Sequence, residues 1–119
     1  MKIAVSSEGQ YLSSRVDPRF GRARGFVIYD TETKDFTYVD NKQNLDSAQG
    51  AGIQSAVTVI DAGASAVITG NVGPKAFATL SKGEVDIYLC GDCTVGEAID
   101  SLKRGELVKS DNANVEGHW

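Results

Sequence analysis

The sequence predicts an α/β domain built on a five-stranded mixed sheet, strand order 3-2-1-4-5, with helices on both faces. Three observations carry this. Short apolar runs bounded by turn residues recur along the chain: Lys2 to Ser6, Gly25 to Asp30, Ser65 to Thr69 and Val85 to Leu89. Between the later runs lie segments of helical period. The run Gly25 to Asp30 is joined to an alternating segment, Asp35 to Asp40, by a link so tight that only antiparallel neighbours can share it. A chain of 119 residues suits one domain. It is read here as residues 1–107, with 108–119 as a C-terminal tail.

In order, Lys2 to Ser6 is an apolar strand. Ser7 to Arg24 has no sustained period and contains Gly9, Pro18 and Gly21, so it is a long loop of the kind that usually carries function. Gly25 to Asp30 is the second strand. Thr31 to Lys34 turns the chain into a third, Asp35 to Asp40, whose alternation fits a strand wet on one side. Asn41 to Gln49 is a polar loop. Ile53, Ala56, Val57 and Ile60 then recur at helical spacing, and Gly63 stops that helix. Ser65 to Thr69 is the fourth strand. Gly70 to Gly73 is the turn into a second helix, Pro74 to Ser81, with Pro at the first helical position, where its missing N–H costs nothing. Val85 to Leu89 is the fifth strand. Thr94-Val-Gly-Glu97 has the spacing of a capping box and opens a third helix, which runs to about Arg104 and stops at Gly105.

Chain direction then places the chemistry. Strands joined through helices run parallel, so strands one, three, four and five point the same way. The loops after them, Ser7–Arg24, Asn41–Gln49, Gly70–Gly73 and Cys90–Thr94, share one edge. The opposite edge keeps only tight links. Ligands in open α/β sheets bind at the carboxyl ends of the strands. An arginine-rich loop, a glycine-bracketed turn and both cysteines therefore fall on the rim where a ligand is expected.

Charge sharpens the expectation. The net charge is −4, which argues against general nucleic-acid binding. Yet four of the five arginines, Arg15, Arg19, Arg22 and Arg24, lie within ten residues. An acidic chain with one arginine-dense loop suits a compact anion. Backbone N–H groups at Gly70, Asn71, Val72 and Gly73 would suit the same anion. Arg19 and Arg22 flank Phe20 and Gly21. Phe20 packs the loop onto the core, and Gly21 is expected to supply a positive φ. The longest apolar-leaning run, Ala56 to Thr69, is interrupted by Asp61 and Gly63, so no membrane span is expected. The start of the chain enters a strand directly, without a leader, so a cytoplasmic location is expected.

Val16-Asp-Pro-Arg-Phe-Gly-Arg-Ala23, Phe26-Val-Ile-Tyr-Asp30, Ile68-Thr-Gly-Asn-Val-Gly-Pro-Lys-Ala76 and Thr94-Val-Gly-Glu-Ala-Ile99 together resemble the dinitrogenase iron–molybdenum cofactor biosynthesis family, from Lys2 to about Leu107. The resemblance implies a ribonuclease H-like fold and a non-enzymatic carrier of an anionic metal–sulfur cluster containing molybdenum, iron or copper. It is nearest to the small free-standing orange-protein branch, which is implied to hold a molybdenum–copper sulfide without covalent attachment. The implied partners are the metallocluster and a protein that delivers or accepts it, with neither nucleic acid nor membrane. The cluster-binding set carried over is Arg15, Arg19, Phe20, Arg22, Gly70, Asn71, Val72 and Gly73. Two positions depart from the pattern. Arg19 stands where cofactor-carrying members often have a histidine. Cys90-Gly-Asp-Cys93 replaces a link that is usually free of cysteine.

Cys90 and Cys93 form a CxxC pair with three readings open: soft-metal ligands, a reversible disulfide, or packing. A complete zinc or iron–sulfur site needs about four protein ligands. The remaining candidate, His118, lies far off in the tail. Cys93 stands at the mouth of the third helix, where the N-terminal partial charge favours a thiolate. A thiol–disulfide redox protein is thus the alternative function. A metal-dependent nuclease is set aside, because Ile3-Ala-Val-Ser6 supplies no carboxylate to hold divalent cations.

Overall fold

Alternation along the strands divides the apolar residues between two cores, and the helices close both. The computed structural model describes residues 1–41 and 51–113. Its elements are β1 (Lys2–Ser7), β2 (Gly25–Asp30), β3 (Phe36–Asp40), α1 (Ala51–Asp61), β4 (Ala66–Thr69), α2 (Pro74–Lys82), β5 (Asp86–Leu89), α3 (Val95–Lys103) and β6 (Val108–Lys109), with a 3-10 turn at Phe20–Arg22. In the central strands successive side chains enter opposite cores. Ala4, Phe26, Ile28, Val67 and Ile87 face α1 and α2, where Ala56, Val59, Ala76 and Leu80 meet them. Ile3, Val5, Val27, Tyr29, Ala66 and Ile68 face α3, represented by Val95, Ala98 and Ile99.

The sheet order is β3-β2-β1-β4-β5-β6. The expected order is present, but the sheet has six strands, not five. The sixth comes from residues read as tail: β6 pairs antiparallel to β5, with Leu89 opposite Val108 and Tyr88 opposite Lys109. Ser110 N–H donates to the Ile87 carbonyl at 2.7 Å, and Lys109 Nζ lies 3.1 Å from Asp86. A two-residue strand with both side chains exposed leaves no period to read.

β1 is antiparallel to β2 and parallel to β4, while β3 is antiparallel to β2 and β5 parallel to β4. Hence β1, β3, β4 and β5 all end on one rim, as chain direction requires. The tight links behave as expected. Asp30 accepts the Glu32 N–H at 2.9 Å in the turn into β3. Gly63 (φ 85°) and Gly105 (φ 71°) take the left-handed conformation after α1 and α3. One helical face differs from the expectation. In α1 the buried positions are Ala51, Ser55, Ala56 and Val59, while Val57 is 40% exposed. Ser55 faces inward because it has polar partners there, and apolar counting could not see them. Among the described residues, no helix is long and apolar enough to cross a membrane.

Candidate functional site

The long loop after β1 works as two straps. Its first half folds back on the cysteine link and the start of α3. Ser7 bridges Val16 and Arg15 bridges Thr94. Val16 N–H donates to the Cys93 carbonyl at 2.9 Å. Val95 and Gly96, the first two residues of α3, donate to the carbonyls of Ser14 and Leu12, both at 2.8 Å. The Thr94 hydroxyl accepts the Glu97 N–H at 3.2 Å, and Glu97 accepts the Thr94 N–H at 2.9 Å, so the expected capping box is present. The first turn of α3 has therefore committed its N–H groups to these oxygens. These N–H groups donate to oxygens, not to the Cys93 sulfur.

The second half lies across the turn between β4 and α2. Phe20 N–H donates to the Asn71 carbonyl at 3.2 Å, the Asn71 side chain donates to the Pro18 carbonyl at 3.1 Å, and Arg19 bridges Asn71. Gly70 permits this approach: a Cβ there would sit 2.8 Å from Pro18 Cα. The Phe20 ring is buried in the α1/α2 core, 5.3 Å from the Phe26 ring centre. Burying a phenylalanine stabilises by roughly 1.5–3 kcal/mol, enough to tether the loop at this point. Gly21 does not take the positive φ expected of it. It is buried, and its carbonyl lies 3.5 Å from the Ser55 hydroxyl.

Buried polar groups lock both straps, and these escaped sequence reasoning. The Ser6 hydroxyl donates to the Asp17 carbonyl at 2.7 Å and lies 2.8 Å from the Thr69 hydroxyl. The carboxylate of Asp17, itself buried, accepts the Arg19 N–H at 3.0 Å. Asn41 donates to the Ala23 carbonyl at 2.9 Å and accepts from Ser55 at 3.2 Å. The only signal for them was a polar residue at an inward position of an otherwise apolar element (Ser6, Ser55, Thr69).

The arginines do not act as a block. Arg15 pairs with Asp92 in the cysteine link, and that carboxylate raises its pKa further. Arg19 is half exposed, with Nε 3.6 Å from Asp17. Arg22 is half-buried within the 3-10 turn, and Arg24 is exposed. Val72 is fully buried, backbone and side chain alike, while Gly70, Asn71 and Gly73 are partly exposed. Arg19, Phe20, Arg22, Gly70, Asn71 and Gly73 are thus gathered by one strap, while Arg15, Cys90 and Cys93 are gathered by the other.

Cys90 and Cys93 are free thiols, both half-buried against the α3 core. Burial, with Cys93 beside it, pushes the Cys90 thiol up to about 12. Cys90 is therefore protonated at neutral pH and a poor nucleophile. Nothing in this geometry favours a thiol–disulfide enzyme. Among the described residues, no three His, Cys, Asp or Glu side chains are grouped to hold a metal ion. His118 lies outside the described residues.

Fold and rim together define a single-sheet α/β domain in which the candidate site residues gather at the carboxyl end of the parallel strands. More particularly, the chain belongs to the dinitrogenase iron-molybdenum cofactor family, whose model matches residues 1–105. The structure is similar to the apo form of the orange protein from Desulfovibrio gigas, with TM-score 0.94 and 38% identity over 96% of each chain. It is also similar to a Thermotoga protein of the DUF35 family, with TM-score 0.85 and 37% identity over 98% of each chain. An uncharacterized protein of Methanocaldococcus jannaschii is 29% identical over 114 residues, covering 92% of this chain and 91% of its own.

Proposed function

We propose that this protein is a non-enzymatic carrier of an anionic metal–sulfur cluster, or of its precursor, containing molybdenum, iron or copper. One observation carries the reading: the Arg19–Arg22 turn is fastened by Asn71 onto the Gly70–Gly73 bend at the carboxyl rim of the sheet. A guanidinium cannot ligate a metal, but it donates several hydrogen bonds, which suits the sulfide or oxo edges of a cluster held without covalent attachment. Arg19 and Arg22 are assigned that role, with the partly exposed backbone of Gly70, Asn71 and Gly73 along the other side of the cargo and Val72 packed beneath it. Phe20 holds the loop in place from the core. Arg15, paired with Asp92, lies on the neighbouring strap and leaves the anion to Arg19 and Arg22. Family membership and the likeness to the orange protein support a cofactor-related role. The cargo passes to or from a partner protein, and the carrier makes or breaks no bond within it.

The test is reconstitution without oxygen from molybdate, copper or iron together with sulfide, followed by gel filtration, metal analysis and an absorption spectrum. A coloured protein that keeps metal and sulfide in fixed ratio is expected. Arg19→Ala/Arg22→Ala should fold normally and lose the colour on the column. A wild-type chain that stays colourless and metal-free through all these mixtures overturns the reading.

A further inference from the structure

On the rim, the Cys90–Cys93 pair is a set of soft donors that the arginine cradle leaves unused. We infer that Cys90 and Cys93 form a two-coordinate thiolate site for one soft monovalent ion of the Cu(I) type, separate from the cluster cradle.

Donor count decides the class of ion. Zinc and iron–sulfur centres call for about four protein ligands. The described residues group no third His, Cys, Asp or Glu with the pair. Asp92, the carboxylate between the two cysteines, is engaged by Arg15. Two sulfurs and no third donor suit a closed-shell soft ion that accepts linear coordination, and thiolates select such ions over harder ones.

The rest of the geometry is that of a prepared site. Both cysteine side chains pack against the same α3 core, three residues apart across one short link. Cys90 is fixed through its N–H, which donates to the Thr69 carbonyl at 3.0 Å, and Cys93 through its carbonyl, which accepts from Val16 at 2.9 Å. The Thr94 capping box holds the chain immediately after Cys93. One side is apolar, formed by the α3 core. The other is open: a Cβ added at Gly91 would meet nothing within 4 Å, and Gly91 and Asp92 are exposed. On binding, two sulfur–metal bonds form, both S–H protons leave to solvent, and the ion keeps its oxidation state. The inference uses only these two thiols and does not rest on the cluster-carrier reading.

The experiment titrates the reduced full-length chain with Cu(I), without oxygen, against a chromophoric Cu(I) chelator such as bicinchoninate. Free thiols, near-ultraviolet absorption and mass in solution are followed. One Cu(I) per monomeric chain is expected, with loss of both free thiols and a new thiolate-to-metal absorption band. Zn(II) offered in the same way should be lost on gel filtration. Cys90→Ser and Cys93→Ser should each surrender the copper to the chelator, with Cys93→Ala as the substitute if a serine variant does not fold. Arg19→Ala/Arg22→Ala should take up copper like the wild type, so this site and the cluster cradle are read out separately. Copper held equally by the serine variants, one ion shared by two chains, or equal retention of zinc would overturn the assignment.

Discussion

Gly70 shows how a single atom governs the rim. A methyl group there would press on Pro18 Cα at 2.8 Å, and a backbone atom cannot swing aside as a side chain can. Gly70→Ala is therefore expected to destabilise the fold by roughly 1–3 kcal/mol, the usual range for overpacking, measured by urea unfolding. It should also weaken cluster retention by lifting the Arg19 strap; unchanged stability would show that the contact is dispensable. The glycine was legible in the sequence as a turn residue. Its use in close approach was not, because the partner is fifty-two positions earlier in the chain. The same holds for Ser6, Asp17 and Thr69: the Ser6 hydroxyl joins the Asp17 carbonyl and the Thr69 hydroxyl across segments that the sequence keeps apart.

At the scale of elements, α3 was the most legible and its role at the rim the least. Its capping box and stop glycine follow local rules that any segment of this composition obeys. Thr94→Ala should cost about 1 kcal/mol, the usual value for a lost N-cap, and would loosen the cysteine link it follows. Hydrogen bonding, led by that from the Thr94 N–H, lowers the Glu97 pKa below its ordinary value near 4.5. A lowered carboxylate adds stability that is present above the ordinary value and lost as pH falls through the folded one. Glu97→Gln should flatten this part of the acid limb in thermal melts between neutral pH and pH 3, whereas an identical acid limb in both proteins would remove Glu97 from the account. That Val95 and Gly96 donate to Ser14 and Leu12 was invisible beforehand, since the loop supplying those carbonyls has no pattern of its own.

Over the whole molecule, the central pair β1 and β4 is shielded by both cores, whereas β3 and β6 lie at the sheet's edges. Native-state hydrogen exchange should therefore be slowest for amides of β1 and β4 and fastest for β6. Protection of β6 equal to that of β1 would mean that it is part of the cooperative core and more than an edge addition. The rim follows from this arrangement. The central strands are rigid enough to present three separate segments, the arginine turn, the Gly70–Gly73 bend and the cysteine link, at fixed places on one edge. The two straps of the first loop divide that edge, one fastened to the bend and the other to the link.

By itself the sequence determined the strand order through β5, the direction of the chain and hence the edge on which the chemistry collects. These depend on apolar period, turn residues and the handedness of crossovers, all of which act locally or through a few general constraints. Only the tertiary structure decided the sixth strand, the inward turn of Ser55, the pairing of Arg15 with Asp92 and the division of the rim into two halves. Those features rest on single contacts between distant segments, whose energies are comparable to one hydrogen bond and leave no periodic trace along the chain.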